Sequence, residues 1–246
     1  MGFNVYPIQS GILEQMSHPA WPCELWSWSG GRFQPAGNGT HFGAVFAGQV
    51  KLRCKSGSFE LGAGMVFSVP GELELSGSGQ VFGITHLASR GLFQLVGPVE
   101  ERGRLRYIDG CTDSLLIPPQ LKGEPCLNHL HFPSGIDQTA HTHPSLRAGL
   151  VLRGSGVCRM PGRSVALVPG LVFHIPADVV HAFATQDSSM DVVAFHPDSD
   201  FGPEHDDHPM INRTIVNGVS AQRIEHIRTS PTAVLEGPFL GARNLR

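Results

Sequence analysis

The sequence predicts an all-β fold, two barrels of short strands in one chain with helix as a minor element. The first observation behind this is composition. The 246 residues include 30 Gly and 19 Pro, and Val, Ile, Leu and Phe fall in short runs without a long helical stripe. The second is an internal repeat at a shift of 106 positions, the distance from Gly48 to Gly154. Gly43, Val45 and Arg53 meet Gly149, Val151 and Arg159, while Gly64, Val66, Phe67 and Pro70 meet Gly170, Val172, Phe173 and Pro176. A repeat of that length is the size of a domain, so two homologous barrels are expected. The third is the Gly and Pro punctuation that closes each apolar run.

Taken in order, residues 1–105 form the N-terminal barrel, 106–200 the C-terminal barrel, and 201–246 a loop and tail packing on the barrels. Residues 1–20 read as a leader with a short helical turn, after which Trp21, Trp26 and Trp28 open the first barrel, which runs to about residue 90. The charged stretch from Gly91, with its Pro-Pro pair at Pro118 and Pro119, suits a connection and the entry strand of the second barrel. NHLHF at 128–132 and MDVVAFH ending at His196 frame that barrel. The segment from Asp198 to Pro209 is an acidic, His-containing loop, and SAQRIEHIRT from Ser220 reads as a helix.

The chemistry concentrates in Gly135-Ile136-Asp137-Gln138-Thr139-Ala140-His141-Thr142-His143 and in IPADVVHAF, which carries His181. Histidines two apart on a strand share a face, and a third from a later strand closes a one-sided triangular ligand set for a divalent ion. The glycines fit strand punctuation: Gly135 stands six before His141, and Gly170 eleven before His181.

This two-part motif closely resembles that of the cupin family. The resemblance covers most of residues 20–200 and implies a bicupin of two double-stranded β-helix (jelly-roll) barrels. At the 106 shift the three ligand positions fall on Pro35, Gly37 and Leu75, none able to bind a metal, so the first barrel is expected to be metal-free. The family pattern usually places a glutamate four residues after the second histidine; here Arg147 stands there. A guanidinium cannot ligate a cation, so the chain looks more like the three-histidine cupins, the thiol dioxygenases and a β-diketone dioxygenase among them. The resemblance implies one divalent metal per chain, Fe(II) above Zn(II), Ni(II) or Mn(II).

Three neutral imidazoles leave a divalent ion its full charge, which seeks an anion. With the strand parity of the ligands, Arg147 also points inward and binds a small anionic substrate. The alternative is that it builds a barrel-wall salt bridge with Asp137, Asp178 or another acid. His129 and His131 share a strand face and are further candidates for substrate contact, and His174 is the best candidate for a general acid or base, its repeat partner being Ser68. His205 and His208 read as part of a solvated acidic loop, and His196 is placed outside the site.

The net charge of −3 and the lack of a basic run exclude nucleic acid as an expected partner. No apolar stretch approaches the roughly 20 residues of a membrane span, and the start lacks a secretion pattern, so a cytoplasmic protein without membrane contact is expected. Five cysteines without CxxC spacing read as reduced thiols. Edge-to-edge pairing in the resembling family makes a homodimer the expected assembly. Three functions are consistent with these features. One is a non-haem Fe(II) dioxygenase using O2. Another is a non-redox Zn, Ni or Mn enzyme catalysing isomerisation, elimination or a rearrangement such as N–N bond formation. The last is a bicupin that binds a small ligand without catalysis.

Overall fold

The computed structural model describes residues 2–35, 38–204 and 208–227. In chain order the strands of its first half are β1 (Asn4–Pro7), β2 (Gly11–Met16), β3 (Cys23–Phe33), β4 (Thr40–Ala47), β5 (Val50–Cys54), β6 (Gly57–Leu61), β7 (Val66–Pro70) and β8 (Leu73–His86). There follow β9 (Gln94–Val96), still in the sheet of the first half, and then β10 (Leu105–Arg106), β11 (Thr112–Ile117), β12 (Cys126–Phe132) and β13 (Arg147–Gly154). The chain continues through β14 (Gly156–Met160), β15 (Arg163–Leu167), β16 (Leu171–Ile175), β17 (Ala182–Ala184) and β18 (Met190–His196). The all-β expectation therefore holds.

The strand pairing carries the repeat into three dimensions. Gly43 lies opposite Phe67 and Gly149 opposite Phe173, both pairs at the same 106 shift. The glycines have a steric reason. A Cβ at Gly43 would meet the Phe67 ring at 2.3 Å, and one at Gly149 the Phe173 ring at 2.6 Å, so each glycine lets an aromatic ring lie flat across the strand. The shift changes further on: Leu52 faces Leu75 where Cys158 faces Phe183, so the counterpart of His181 is Leu73 rather than Leu75. Leu73 is equally unable to hold a metal.

Residues 1–20 contain two strands in place of a helical turn, and the first of them joins the other half. β1 pairs with β16 (Val5 opposite Phe173), while β9 pairs with β7 (Leu95 opposite Phe67). β1 thus joins the sheet of the other half, across the boundary at 105 that the sequence suggested, whereas β9 pairs within residues 1–105. Backbone hydrogen bonding decides this, because β16 has a free edge that a leader strand can satisfy.

Three cores follow from strand parity. Trp26, Trp28, Leu52, Phe67 and Leu75 fill the first barrel. Leu130, Phe132, Phe173, Ile175, Phe183 and Ala194 line the second. Between them a third core joins Leu25, Phe42 and Ile84 to Leu127, Ala148, Leu150, Val172, Val193 and Phe195, with the Phe42 and Phe195 ring centroids 5.1 Å apart. The strands of the second barrel are therefore apolar on both faces, odd and even residues going to different cores.

Among the described residues, a second compact unit comprises Pro119–Gly123 and the chain after Ser199. Within it α1 (Pro209–Arg213) is capped by His208, whose Nδ1 accepts from the Met210 N–H at 3.1 Å. Where the sequence suggested a helix from Ser220 there are two single 3-10 turns, Ala221–Arg223 and Glu225–Ile227; its last two residues, like Gly37 and His205, lie outside the described residues. No helix among the described residues is long and apolar enough to cross a membrane.

Candidate metal centre

The ligand-bearing segment is less regular than its spacing implied. Residues 138–146 are not a strand; His141 forms an isolated antiparallel bridge with His181, each donating its N–H to the other's carbonyl (2.9 and 3.0 Å). That bridge sets the two side chains next to each other. His143 completes the triad, with ring centroids 5.0 Å from His141 and 5.2 Å from His181, and one ligand nitrogen from each ring lies within 4.8 Å of the others.

Two rings are oriented by the backbone. His141 Nδ1 donates to Thr139 O at 2.7 Å and His181 Nδ1 to Val179 O at 2.8 Å. A carbonyl only accepts, so each proton sits on Nδ1 and the Nε2 lone pair is left for a cation. The Nε2 of His181 is buried and has no hydrogen-bond partner. Burial, then the charge of Arg147 and the neighbouring imidazoles, lowers the pKa of His143 to about 3. Burial is also the main cause that lowers His181. These residues fit a metal: burial disfavours charge on His143 and His181, imidazole nitrogens are common metal donors, and an orphaned nitrogen in a protein interior calls for a partner.

The triad opens into a cavity with about 40 Å³ open to water, enough for a metal and a few atoms of substrate. Phe132, Phe173 and Phe183 form its apolar wall, and Arg147, Tyr107, Asp113, Gln138 and His196 its polar side. Arg147 meets both readings of the sequence. It lines the cavity, and its Nη1 donates to Ser145 Oγ (2.6 Å) and Leu146 O (2.9 Å) and stands 3.8 Å from Asp198 Oδ1. Asp137 instead pairs with Arg159 at 2.5 Å.

Parity corrects the other candidates. On β12 the even residues Leu130 and Phe132 enter the cavity, so His129 and His131 face away and both bind Asp191 Oδ1, at 2.7 and 2.9 Å. On β16 Phe173 and Ile175 enter, so His174 faces away and its Nδ1 meets Glu14 Oε2 at 2.9 Å. The same rule brings in His196, placed outside the site by the sequence reading: it is even on β18, like Ala194. Burial, then Arg147, holds His196 well below the usual imidazole range. Burial likewise raises the pKa of Tyr107 and of Asp113, which accepts both its bonds from Asn128 Nδ2 (2.8 and 3.0 Å). Tyr107 and Asp113 had no sequence signal beyond their place in the entry strand.

In the first barrel the Trp26 indole takes up interior space. A Cβ at Gly83 would lie 2.2 Å from the Trp26 ring, so glycine there admits the indole to the interior. Trp26 Nε1 donates to Thr85 Oγ1 (3.0 Å), which bonds His41 Nδ1 (2.7 Å), and His41 Nε2 donates to Gly71 O (2.8 Å). His41 stands where Arg147 stands in the second barrel, and the chain of bonds leaves none of its donors open.

A two-barrel all-β protein with, among the described residues, one histidine triad at the wall of a cavity is therefore defined by fold and site. Residues 128–196 match the family model described as "Cupin domain", which covers the ligand-bearing barrel. Among solved structures, the chain is similar to a putative glyoxylate-induced protein from Pseudomonas aeruginosa, at 13% identity and a TM-score of 0.62, over 82% of this chain and 91% of that one. It is similar to a cupin 2 conserved barrel domain protein from Leptotrichia buccalis, at 14% identity and a TM-score of 0.57, over 78% and 95%. A salicylate 1,2-dioxygenase from Pseudaminobacter salicylatoxidans aligns at 12% identity and a TM-score of 0.55, over 76% of each chain. These likenesses establish the cupin fold. A search of curated proteins by sequence gave no match.

Proposed function

We propose that the chain is a metal-dependent cupin enzyme, a bicupin in which His141, His143 and His181 hold one divalent ion, Fe(II) by preference, and that it acts as a dioxygenase on a small anionic metabolite. The observation that carries this reading is the convergence of three imidazoles, two with Nδ1 fixed on backbone carbonyls, at the wall of a cavity that also holds Arg147. When bound, the metal would supply Lewis acidity and, as Fe(II), activation of O2 at positions the three histidines leave open.

The protein's own residues supply binding and exclusion. Arg147 places a fixed positive charge beside the triad, and the same field that depresses His143 favours an anion. Its anchorage on Ser145 and Leu146 holds the guanidinium in place before substrate arrives, which reduces the ordering cost of binding. Phe132, Phe173 and Phe183 surround that charge with apolar wall, which strengthens it. The Tyr107 hydroxyl, its pKa raised by burial, stays protonated and can donate to a substrate oxygen.

Elemental analysis of protein purified without added metal tests the proposal, with oxygen uptake recorded against small thiols, diketones, keto acids and amino acids. Iron near one equivalent with substrate-dependent uptake supports the dioxygenase. Zinc, nickel or manganese without uptake moves the same site to a non-redox isomerase, lyase or rearrangement reaction, a reading the all-imidazole ligand set accommodates. Absence of any bound metal leaves a bicupin that binds a small ligand without catalysis.

A further inference from the structure

We infer that the cavity at the triad selects a substrate carrying a positive group as well as a negative one, a small zwitterion of the α-amino-acid kind, and that Asp113 is the residue that receives the cation. The inference rests on the proposed metal enzyme and names the substrate class of its site. Asp113 lies directly opposite Leu130 in the pairing of β11 with β12. Cross-strand partners share a face, so the Asp113 side chain is on the cavity side with Leu130, and both line it.

A half-buried carboxylate in a wall of aliphatic and aromatic side chains is costly unless it is paired. Burial raises the pKa of Asp113 accordingly, while the Asn128 hydrogen bond and the charge of His129 work against that rise. Among the described residues, the hydrogen-bond partner of the carboxyl is the neutral Asn128 amide, whose Nδ2 donates to both oxygens. His129 is on the other face of β12, held at 2.7 Å against Asp191. A hydroxyl or amide in the cavity would add a hydrogen bond to Asp113 but leave its charge. An ammonium group answers both, and a charge-assisted bond is about twice as strong as a neutral one.

Arg147 supplies the complementary end. Tyr107, on the same cavity wall, stands in the field of both residues: beyond the effect of burial, Asp113 raises its pKa and Arg147 lowers it. With about 40 Å³ open to water, the cavity keeps any occupant close to both charges. A simple carboxylate would satisfy Arg147 and be repelled by Asp113, and a simple amine would meet the reverse; a zwitterion satisfies the two together.

Glycine and propionate, which carry NH3+ and CH3 on the same acetate frame, are the probes. Each is titrated calorimetrically into the protein as purified, with metal content measured on every sample. Glycine is expected to bind about tenfold more tightly than propionate. Asp113→Asn, which keeps the side-chain shape, should bring glycine down to the affinity of propionate without changing metal content, and Arg147→Ala should weaken both probes. Propionate binding as tightly as glycine to the parent, or failure of glycine to bind it, would overturn the assignment without any variant. A preference for glycine undiminished in folded Asp113→Asn would overturn it as well, by placing the origin of that preference in amine coordination to the metal. Metal content is read separately, so failure here is distinct from failure of the proposed metal enzyme.

Discussion

His41 makes the first barrel sensitive to acid by an amount that can be worked out. The ring is fully buried, and burial lowers its pKa from 6.5 to about 4. The unfolded chain takes up a proton near pH 6.5 that the folded chain refuses until about pH 4. Its contribution to stability is therefore whole above pH 6.5 and is lost as pH falls through the window between those values. The linkage relation gives a loss of about 2 kcal/mol at pH 5 and about 3 kcal/mol at pH 4, relative to pH 7. The His41→Gln variant removes the titrating group. It should be less stable than the parent at neutral pH, since the bonds to Thr85 and Gly71 are disturbed, by roughly 1–3 kcal/mol. Its further loss between pH 7 and pH 4 should be smaller than the parent's by about 3 kcal/mol. Urea unfolding followed by the fluorescence of buried Trp26 and Trp28 measures both slopes. His86, lowered to about 4 by burial, titrates equally in the two proteins and cancels from the comparison. Equal acid slopes in parent and variant would refute the argument that a neutral His41 seals this barrel.

Replacing His141, His143 or His181 by Ala should lower metal affinity by at least about 100-fold, measured by competition with a chromophoric chelator; full occupancy in any one variant would remove that residue from the triad. Asp109, at a φ of 54°, accepts from Thr139 N–H at 2.7 Å, and Thr139 O holds His141, so Asp109→Ala should weaken metal binding by about 10-fold while leaving the ligands intact. Arg147→Ala should retain the metal and raise KM for an anionic substrate by roughly 10- to 100-fold, with unchanged kinetics returning the residue to a purely structural role. His174→Gln should leave metal content and turnover unchanged, because the side chain faces Glu14; a loss of turnover in folded protein would reinstate it as a candidate acid or base.

The repeat, the all-β class and the triad were legible because each depends on spacing along the chain, and spacing survives folding. The facing of His129, His131 and His174 was not. Alternation identifies the inner face of a strand when the other face is solvated, but here the other face packs against a second barrel: Val172 and Val193 are as buried as Phe173 and Ala194. With apolar residues on both sides, the sequence pairs His129 with His131 correctly yet gives no sign of which core they meet. His196 was misplaced for the same reason. The pairing of β1 with β16 left no mark either, since which edge a short strand pairs with is settled by a long-range free edge.

The two halves show how one scaffold yields both a closed interior and a reactive one. At matched positions the first barrel carries His41 in a completed hydrogen-bond chain and Gly83 admitting an indole, while the second carries Arg147 and Ala194 beside a cavity. The first thereby satisfies both ring nitrogens of His41 and the indole N–H of Trp26 internally. The second leaves His181 Nε2 without a partner, and the packing around it, from the backbone-held Nδ1 protons to the Phe132, Phe173 and Phe183 wall, prevents water from freely supplying one. Such a site is destabilising in isolation and is stabilised by what it binds. A metal-loaded chain should accordingly unfold at a higher temperature than one stripped by chelator, and the difference should vanish in His181→Ala. A difference that survived the substitution would mean the metal stabilises the fold from somewhere other than this triad.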